Sequence, residues 1–387
     1  MTRHLHLAVA LDGAGWHPAA WREDDARPTE LLRAPYWAEL VREAEAGLLD
    51  LVTIEDSLAI QTESYSGYDD RTDRVRGRLD AVLIAARVAP LTRYVGLVPT
   101  VVATHTEPFH VSKAIATLDH VSGGRAGVRV QASGRAHENR LVGRRELPGT
   151  DDLLDEVVDH VEVQRRLWDS WEDGAEIRDV ATGRFIDRER LHYADFEGRW
   201  FSVRGPSITP RPPQGQPLVV MLAHEVRPVR IAARAADVVL VTPHSDDDAR
   251  AEVGQVREVE AAAGRTEPLL VLGELLVVLG DTEAEATDRL ARLDERAGGP
   301  LSSDAEVFAG TATALADLLQ ARAEAGLAGF RLRPATLPGD LRRITRDLVP
   351  ELQRHGAFRT SYDGGGLRER LGLARPDNRY APTGARR

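Results

Sequence analysis

The feature that most constrains this chain is a regular alternation of short apolar runs with longer amphipathic stretches. Runs at 5–12, 49–55, 94–102, 126–132, 218–223, 237–242, 269–279 and 329–333 read as buried strands. The stretches at 35–47, 79–89, 108–121, 153–173, 226–235, 246–263, 282–297, 311–325 and 341–354 read as helices. The first opens with Pro35 and stops at Gly47, the usual punctuation of a helix. Strands alternating with helices predict a parallel sheet. Eight such units in 387 residues predict a closed (β/α)₈ TIM barrel of the α/β class, one domain over 1–387, rather than an open doubly wound sheet.

Three stretches break the rhythm: the insertion at about 61–78, a Pro-rich and aromatic insertion at 175–216, and a C-terminal extension at 357–387. The last two are expected to fold over the barrel mouth, where such barrels keep their chemistry. The two insertions are expected to shape a pocket, with Tyr65, Tyr68, Tyr193 and Phe196 either walling it or packing the loops.

Composition removes several classes of function. Fifty basic residues against 61 acidic ones give a formal charge of −11, which repels nucleic acid and anionic membranes. There is no cysteine, hence no disulfide, thiolate metal site or thiol nucleophile. The N-terminus enters a strand pattern without a signal-like segment, and no apolar run is long enough to span a bilayer, so a cytoplasmic location is expected.

Generic motifs are absent. No Gly-x-Gly-x-x-Gly follows the first strand, and there is no phosphate-binding loop, nucleophile elbow or His-Glu-x-x-His. Gly123 to Gly127 follows a helix and precedes a strand, so it reads as a helix stop. His4 and His6 share a strand face without further ligands, and no metal site is expected. Acid pairs such as Glu55-Asp56 and Asp151-Asp152 read as solvated or capping. The fourth strand is more informative. Arg129, Gln131 and Ser133 alternate and so share one face. Polar side chains facing a barrel interior need partners, either a ligand or internal salt bridges.

The segment from Thr100 to Ser133, TVVATHTEPFHVSKAIATLDHVSGGRAGVRVQAS, resembles the nitrilotriacetate and dibenzothiophene-sulfone monooxygenase branch of the bacterial-luciferase-like flavin monooxygenase superfamily. Asp12-Gly13-Ala14-Gly15-Trp16-His17-Pro18, the segment from Leu167 to Pro213, and the tail Leu371-Gly372-Leu373 through Pro376, Asn378, Arg379 and Tyr380 resemble it as well. The resemblance runs in order along nearly the whole chain. It implies a barrel that binds reduced FMN, supplied by a separate flavin reductase, at the C-terminal strand ends, and that oxygenates a small organic or natural-product substrate with O₂. The cofactor carries the oxygen chemistry while the protein orients substrate and excludes water. Relatives often dimerise through barrel helices, so a homodimer is expected.

Carried over by position, the resemblance implies flavin-binding roles for Asp56, Thr100, Thr104, Arg129, Gln131, Ser133, Ala223 and His224. It implies catalytic or substrate-facing roles for His17, His105 and Glu225, with Trp21 beside His17 in the first loop. The bland readings are capping for Asp56, turn chemistry for Thr100, Thr104 and His105, and a surface loop for His17 and Trp21.

Three positions depart from the branch. Met221-Leu222-Ala223-His224-Glu225 stands where relatives carry Gln-Ala-Gly-x-Ser, whose Ser and backbone N–H groups hold the FMN phosphate. Glu225 would repel a phosphate by about 4 kcal/mol at 4 Å and an effective dielectric near 20, unless Arg227 and Arg230 compensate. Val128 replaces a usual Trp, and Arg140 and Leu141 replace a small residue and a His. Two further readings follow. One is a barrel that has lost flavin and uses Glu225, His224, Arg129 and Asp56 for acid–base and anion-binding work. The other is a non-catalytic subunit that binds a partner barrel.

Overall fold

The computed structural model describes residues 4–62, 64, 67–223 and 226–381. Eight parallel strands close into a ring: β1 (His6–Leu11), β2 (Leu51–Ile54), β3 (Gly96–Val102), β4 (Gly127–Gln131), β5 (Leu218–Leu222), β6 (Val238–Val241), β7 (Leu270–Leu279) and β8 (Gly329–Pro334). Each pairs with its neighbour in chain order, and β8 closes on β1 through His6↔Gly329 to Val9↔Leu332. β7 is long because it continues past the ring. There Leu275 to Leu279 pair with a ninth strand, Glu306–Gly310, which the sequence pattern does not reveal.

Helices α1 (Ala34–Ala46), α2 (Ala81–Val88), α3 (Pro108–Ser122), α4 (Ala136–Val142), α5 (Thr150–Asp169), α6 (Val226–Ala235), α7 (Asp246–Ala262), α8 (Glu283–Ala297) and α9 (Ala312–Glu324) surround the ring. The helix expected at 153–173 ends at Asp169, where the Ser170 hydroxyl bonds back to the Leu167 carbonyl. α4 was not expected; it closes on Gly143, whose φ of 65° favours glycine.

Outward strand residues such as Val9, Val52, Ile54, Leu97, Val128, Val271, Phe330 and Leu332 pack against the helices in one apolar layer. Inside the ring, the lower half is also apolar: Leu51, Val98, Leu218, Val220, Val238, Leu240, Leu270 and Leu272 fill it. Leu367 and Leu371 of the C-terminal extension plug this lower end, against the expectation that the extension folds over the mouth. Arg359 pairs with Asp50, and the Tyr362 hydroxyl donates to the Leu49 carbonyl, both at strand starts.

The insertion at 175–216 also stays away from the mouth. It forms two short hairpins, and Phe196, Phe201 and Val203 pack on Val163 and Leu167 of α5. The reason is topological: the insertion follows a helix, and helices of a (β/α)₈ barrel return the chain to the bottom face. Tyr193 is exposed and Phe196 packs on α5, so neither walls a pocket; Tyr65 lies outside the described residues. The 61–78 insertion follows a strand and does reach the mouth.

Candidate functional site

Above the apolar plug the barrel interior turns ionic. Parity puts Thr53 and Glu55, Glu274, and Arg331 and Arg333 on inward faces of β2, β7 and β8 or just beyond them, joined by Arg129 of β4. Arg331 is fully buried. It binds Glu55 and Glu274 and donates to the Thr53 hydroxyl at 2.8 Å. Arg333 binds Glu274 and Asp304. Arg129 lies 3.1 Å from Glu55 and donates to the Thr100 hydroxyl and the Gln131 amide oxygen, each at 3.1 Å. The Trp16 ring lies under Arg333, with the guanidinium carbon 4.7 Å from its centroid.

Burial alone would raise the Glu55 and Glu274 carboxyls. The adjacent guanidinium charges outweigh it and hold both below the usual carboxylate range. Glu55 is therefore not the solvated acid that its type and neighbour suggested.

Through Glu55 this ion layer reaches a mouth cavity of about 420 Å³, walled by the loops after β1, β2 and β4 and by the 61–78 insertion. Asp12, Trp16, His17, Asp56, Gln131 and Arg135 are among its lining. Asp12 holds Arg78 through both oxygens, at 2.8 and 2.7 Å. Glu138, buried at the back, accepts from the Ser133 hydroxyl at 2.8 Å and the Leu58 amide at 2.9 Å.

The expected site residues divide into three groups. Asp56 and Gln131 line the cavity, with Asp56 accepting from the Ser57 and Ala81 amides at 2.8 and 2.9 Å; burial lifts its carboxyl above the usual range. His17 lines it too, but is buried, with Nε2 3.1 Å from Asp294 of α8 and Nδ1 accepting from the Ala19 amide. Trp21 donates to the Asp73 carbonyl.

A second group supports the wall from behind. Thr100 accepts from Arg129, and the Thr104 hydroxyl accepts from the Ser133 amide at 2.9 Å. Arg129, Gln131 and Ser133 share one face as expected, and Arg129 and Ser133 find their partners within the chain. His105 is buried, with Nε2 lacking a partner among the described residues, and does not line the cavity; burial pushes its pKa down. Ala223 is buried at the end of β5, bonded to the Leu240 carbonyl.

The third group, His224 and Glu225, lies outside the described residues. Nearby, Arg227 pairs with Asp151, while Arg230 has no ion partner among the described residues. The other departures are not in the cavity: Val128 faces the helical layer, and Arg140 and Leu141 are exposed on α4.

Sequence reasoning missed Glu274, Arg331, Arg333, Glu138 and Arg135. A single acid inside the apolar run 269–279, and two arginines at alternate positions of the last strand, were the available signals. Among the described residues no cluster of His, Asp and Glu can hold a metal, and no helix is long and apolar enough to cross a membrane.

The residues present fit an FMN. The Gln131 amide oxygen faces Arg129, which can only donate, so its NH₂ group is left for the acceptor-rich edge of a flavin ring. Arg230, exposed on α6, has no ion partner among the described residues.

The family model for luciferase-like monooxygenases matches residues 16–346. The chain is 32% identical to nitrilotriacetate monooxygenase component A of Aminobacter aminovorans, over 98% of each chain. It is 30% identical to N-acetyl-S-(2-succino)cysteine monooxygenase of Bacillus subtilis, over 98% of this chain and 99% of that one. Among solved structures, long-chain alkane monooxygenase superposes with a TM-score of 0.87 at 24% identity, over 96% of each chain, and shares the fold. With the closed eight-stranded ring and a mouth cavity at the C-terminal strand ends, these matches establish that the chain belongs to the luciferase-like monooxygenase family.

Proposed function

We propose that this chain is the oxygenase component of a two-component monooxygenase, using reduced FMN from a separate flavin reductase to oxygenate a small organic substrate. The observation that carries the reading is the end-to-end sequence match to nitrilotriacetate monooxygenase component A. Bound reduced FMN supplies the two electrons with which O₂ puts one oxygen atom into substrate and releases the other as water.

The chain's own residues hold and shield. Gln131 offers amide donors to the ring edge, and Asp56, at the end of β2, faces the same cavity. The Arg129–Glu55–Arg331–Glu274–Arg333 layer and the apolar plug beneath it fill the barrel below the cavity. Glu138 ties Ser133 to Leu58, holding the β2 and β4 loops at a fixed separation. His17, braced by Asp294, orders the first loop around Trp16. Arg230 and the start of α6 take the phosphate.

The whole chain works as one barrel domain in the cytoplasm. A homodimer would cover the apolar groove of about 440 Å³ lined by Leu58, Val82, Leu83 and Val111.

The test is an anaerobic titration of the protein with reduced FMN, followed by O₂-dependent turnover with a flavin reductase and NADH. Saturable one-to-one binding is expected. No binding would overturn the reading and favour a flavin-free barrel.

A further inference from the structure

The mouth cavity is lopsided in its hydrogen bonding. Its acids are already engaged. Asp12 is held by Arg78, and Glu55 by Arg129 and Arg331. Asp56 accepts from two backbone amides, and Glu138 from one amide and one hydroxyl. On the donor side, Arg135 lines the cavity with its guanidinium bonded to no described residue, and no carboxylate is in ion-pair contact with it. A half-buried guanidinium without a counterion is a costly arrangement unless an anion completes it.

We propose that Arg135 anchors a carboxylate of the substrate oxygenated at this mouth, so that the substrate is a small organic acid. The assignment rests on the monooxygenase reading for its chemistry, though not for the anion site itself. The one permanently charged group of FMN is its phosphate, placed above at the start of α6. No described residue of β5 or α6 lines the mouth cavity, so the phosphate leaves Arg135 unanswered. Asp12, Glu55, Asp56 and Glu138 are the described acids that line the cavity with Arg135. Each is held by other donors, and none forms an ion pair with it. A planar carboxylate matches the paired N–H donors of a guanidinium, which a lysine does not reproduce.

The experiment uses the full chain, with and without reduced FMN under anaerobic conditions, and succinate as the probe, with uncharged succinamide as control at constant ionic strength. Binding is read by calorimetry. Succinate is expected to bind and succinamide not to. Arg135→Ala should weaken succinate tenfold or more, and Arg135→Lys should fall between. Because Arg135 makes no ion pair among the described residues, Arg135→Ala should keep the parent melting temperature, which separates loss of binding from loss of fold. Equal succinate affinity in parent and Arg135→Ala, or no succinate binding by the parent, overturns the proposal. Loss of reduced-FMN binding in Arg135→Ala with succinate unaffected also overturns it, by assigning the anion to the flavin. Succinate binding through Arg135 in a protein that binds no reduced FMN would sink the monooxygenase reading and leave the acid anchor standing.

Discussion

Replacing Glu274 with Gln tests the ionic layer. Glu274 is fully buried and its two carboxylate oxygens face different guanidinium groups, one of Arg331 and one of Arg333. A Gln keeps the shape but has one acceptor and turns an NH₂ group toward the other arginine, so one buried cation loses one of its two carboxylate partners. Breaking a buried pair costs about 3–5 kcal/mol. Arg331 retains Glu55 and Arg333 retains Asp304, so the lower end, about 3 kcal/mol, is expected. The measurement is equilibrium urea unfolding of both proteins, compared where their slopes agree.

The same variant carries a pH signature. Glu274 is held below the usual carboxylate range, so its contribution is complete above the unfolded-state value of about 4.3 and is lost as pH falls below it. The difference between parent and variant should therefore be constant near neutrality and shrink in acid. A cost under about 1 kcal/mol, or a difference indifferent to acid, would refute the argument, because the charges would then be solvated rather than mutually paired.

Two further outcomes are expected. Leu367→Ala empties part of the plug under the barrel and should cost about 2–5 kcal/mol in the same assay, with reduced-FMN affinity unchanged. A loss of affinity instead would show that the bottom plug shapes the mouth. Burial, with the Asp248 charge adding, lifts the Glu252 carboxyl to about 7. A raised carboxyl favours the folded state below the unfolded-state value of about 4.3, and that support is lost as pH climbs from there through the folded value. Glu252→Gln should therefore melt closest to the parent near pH 4 and above it near pH 8. Equal melting at both would place Glu252 in solvent.

Most of the secondary structure was legible because burial on both faces writes a strand of this barrel as an unbroken apolar run, and burial on one side writes each helix as a stripe. The polar inner face of β4 was legible for the same reason: period two places Arg129, Gln131 and Ser133 together whatever the rest of the chain does. The location of the 175–216 insertion was legible too, and was misread. A segment that follows a helix leaves from the bottom of the barrel, however aromatic its composition. Arg140, Leu141 and Val128 depart from the branch yet lie away from the cavity, because neighbours in sequence need not be neighbours in space.

The partners of the buried charges belonged to tertiary structure alone. Arg331 meets Glu274 across 57 residues and Glu55 across 276, and closure of the ring is what brings them together. Sequence alone established that this is a barrel whose interior carries charge. Which charges cancel, and that Arg135 faces the cavity without an ion pair to any described acid, was decided by the fold, because an ion pair depends on distance through space and composition carries none.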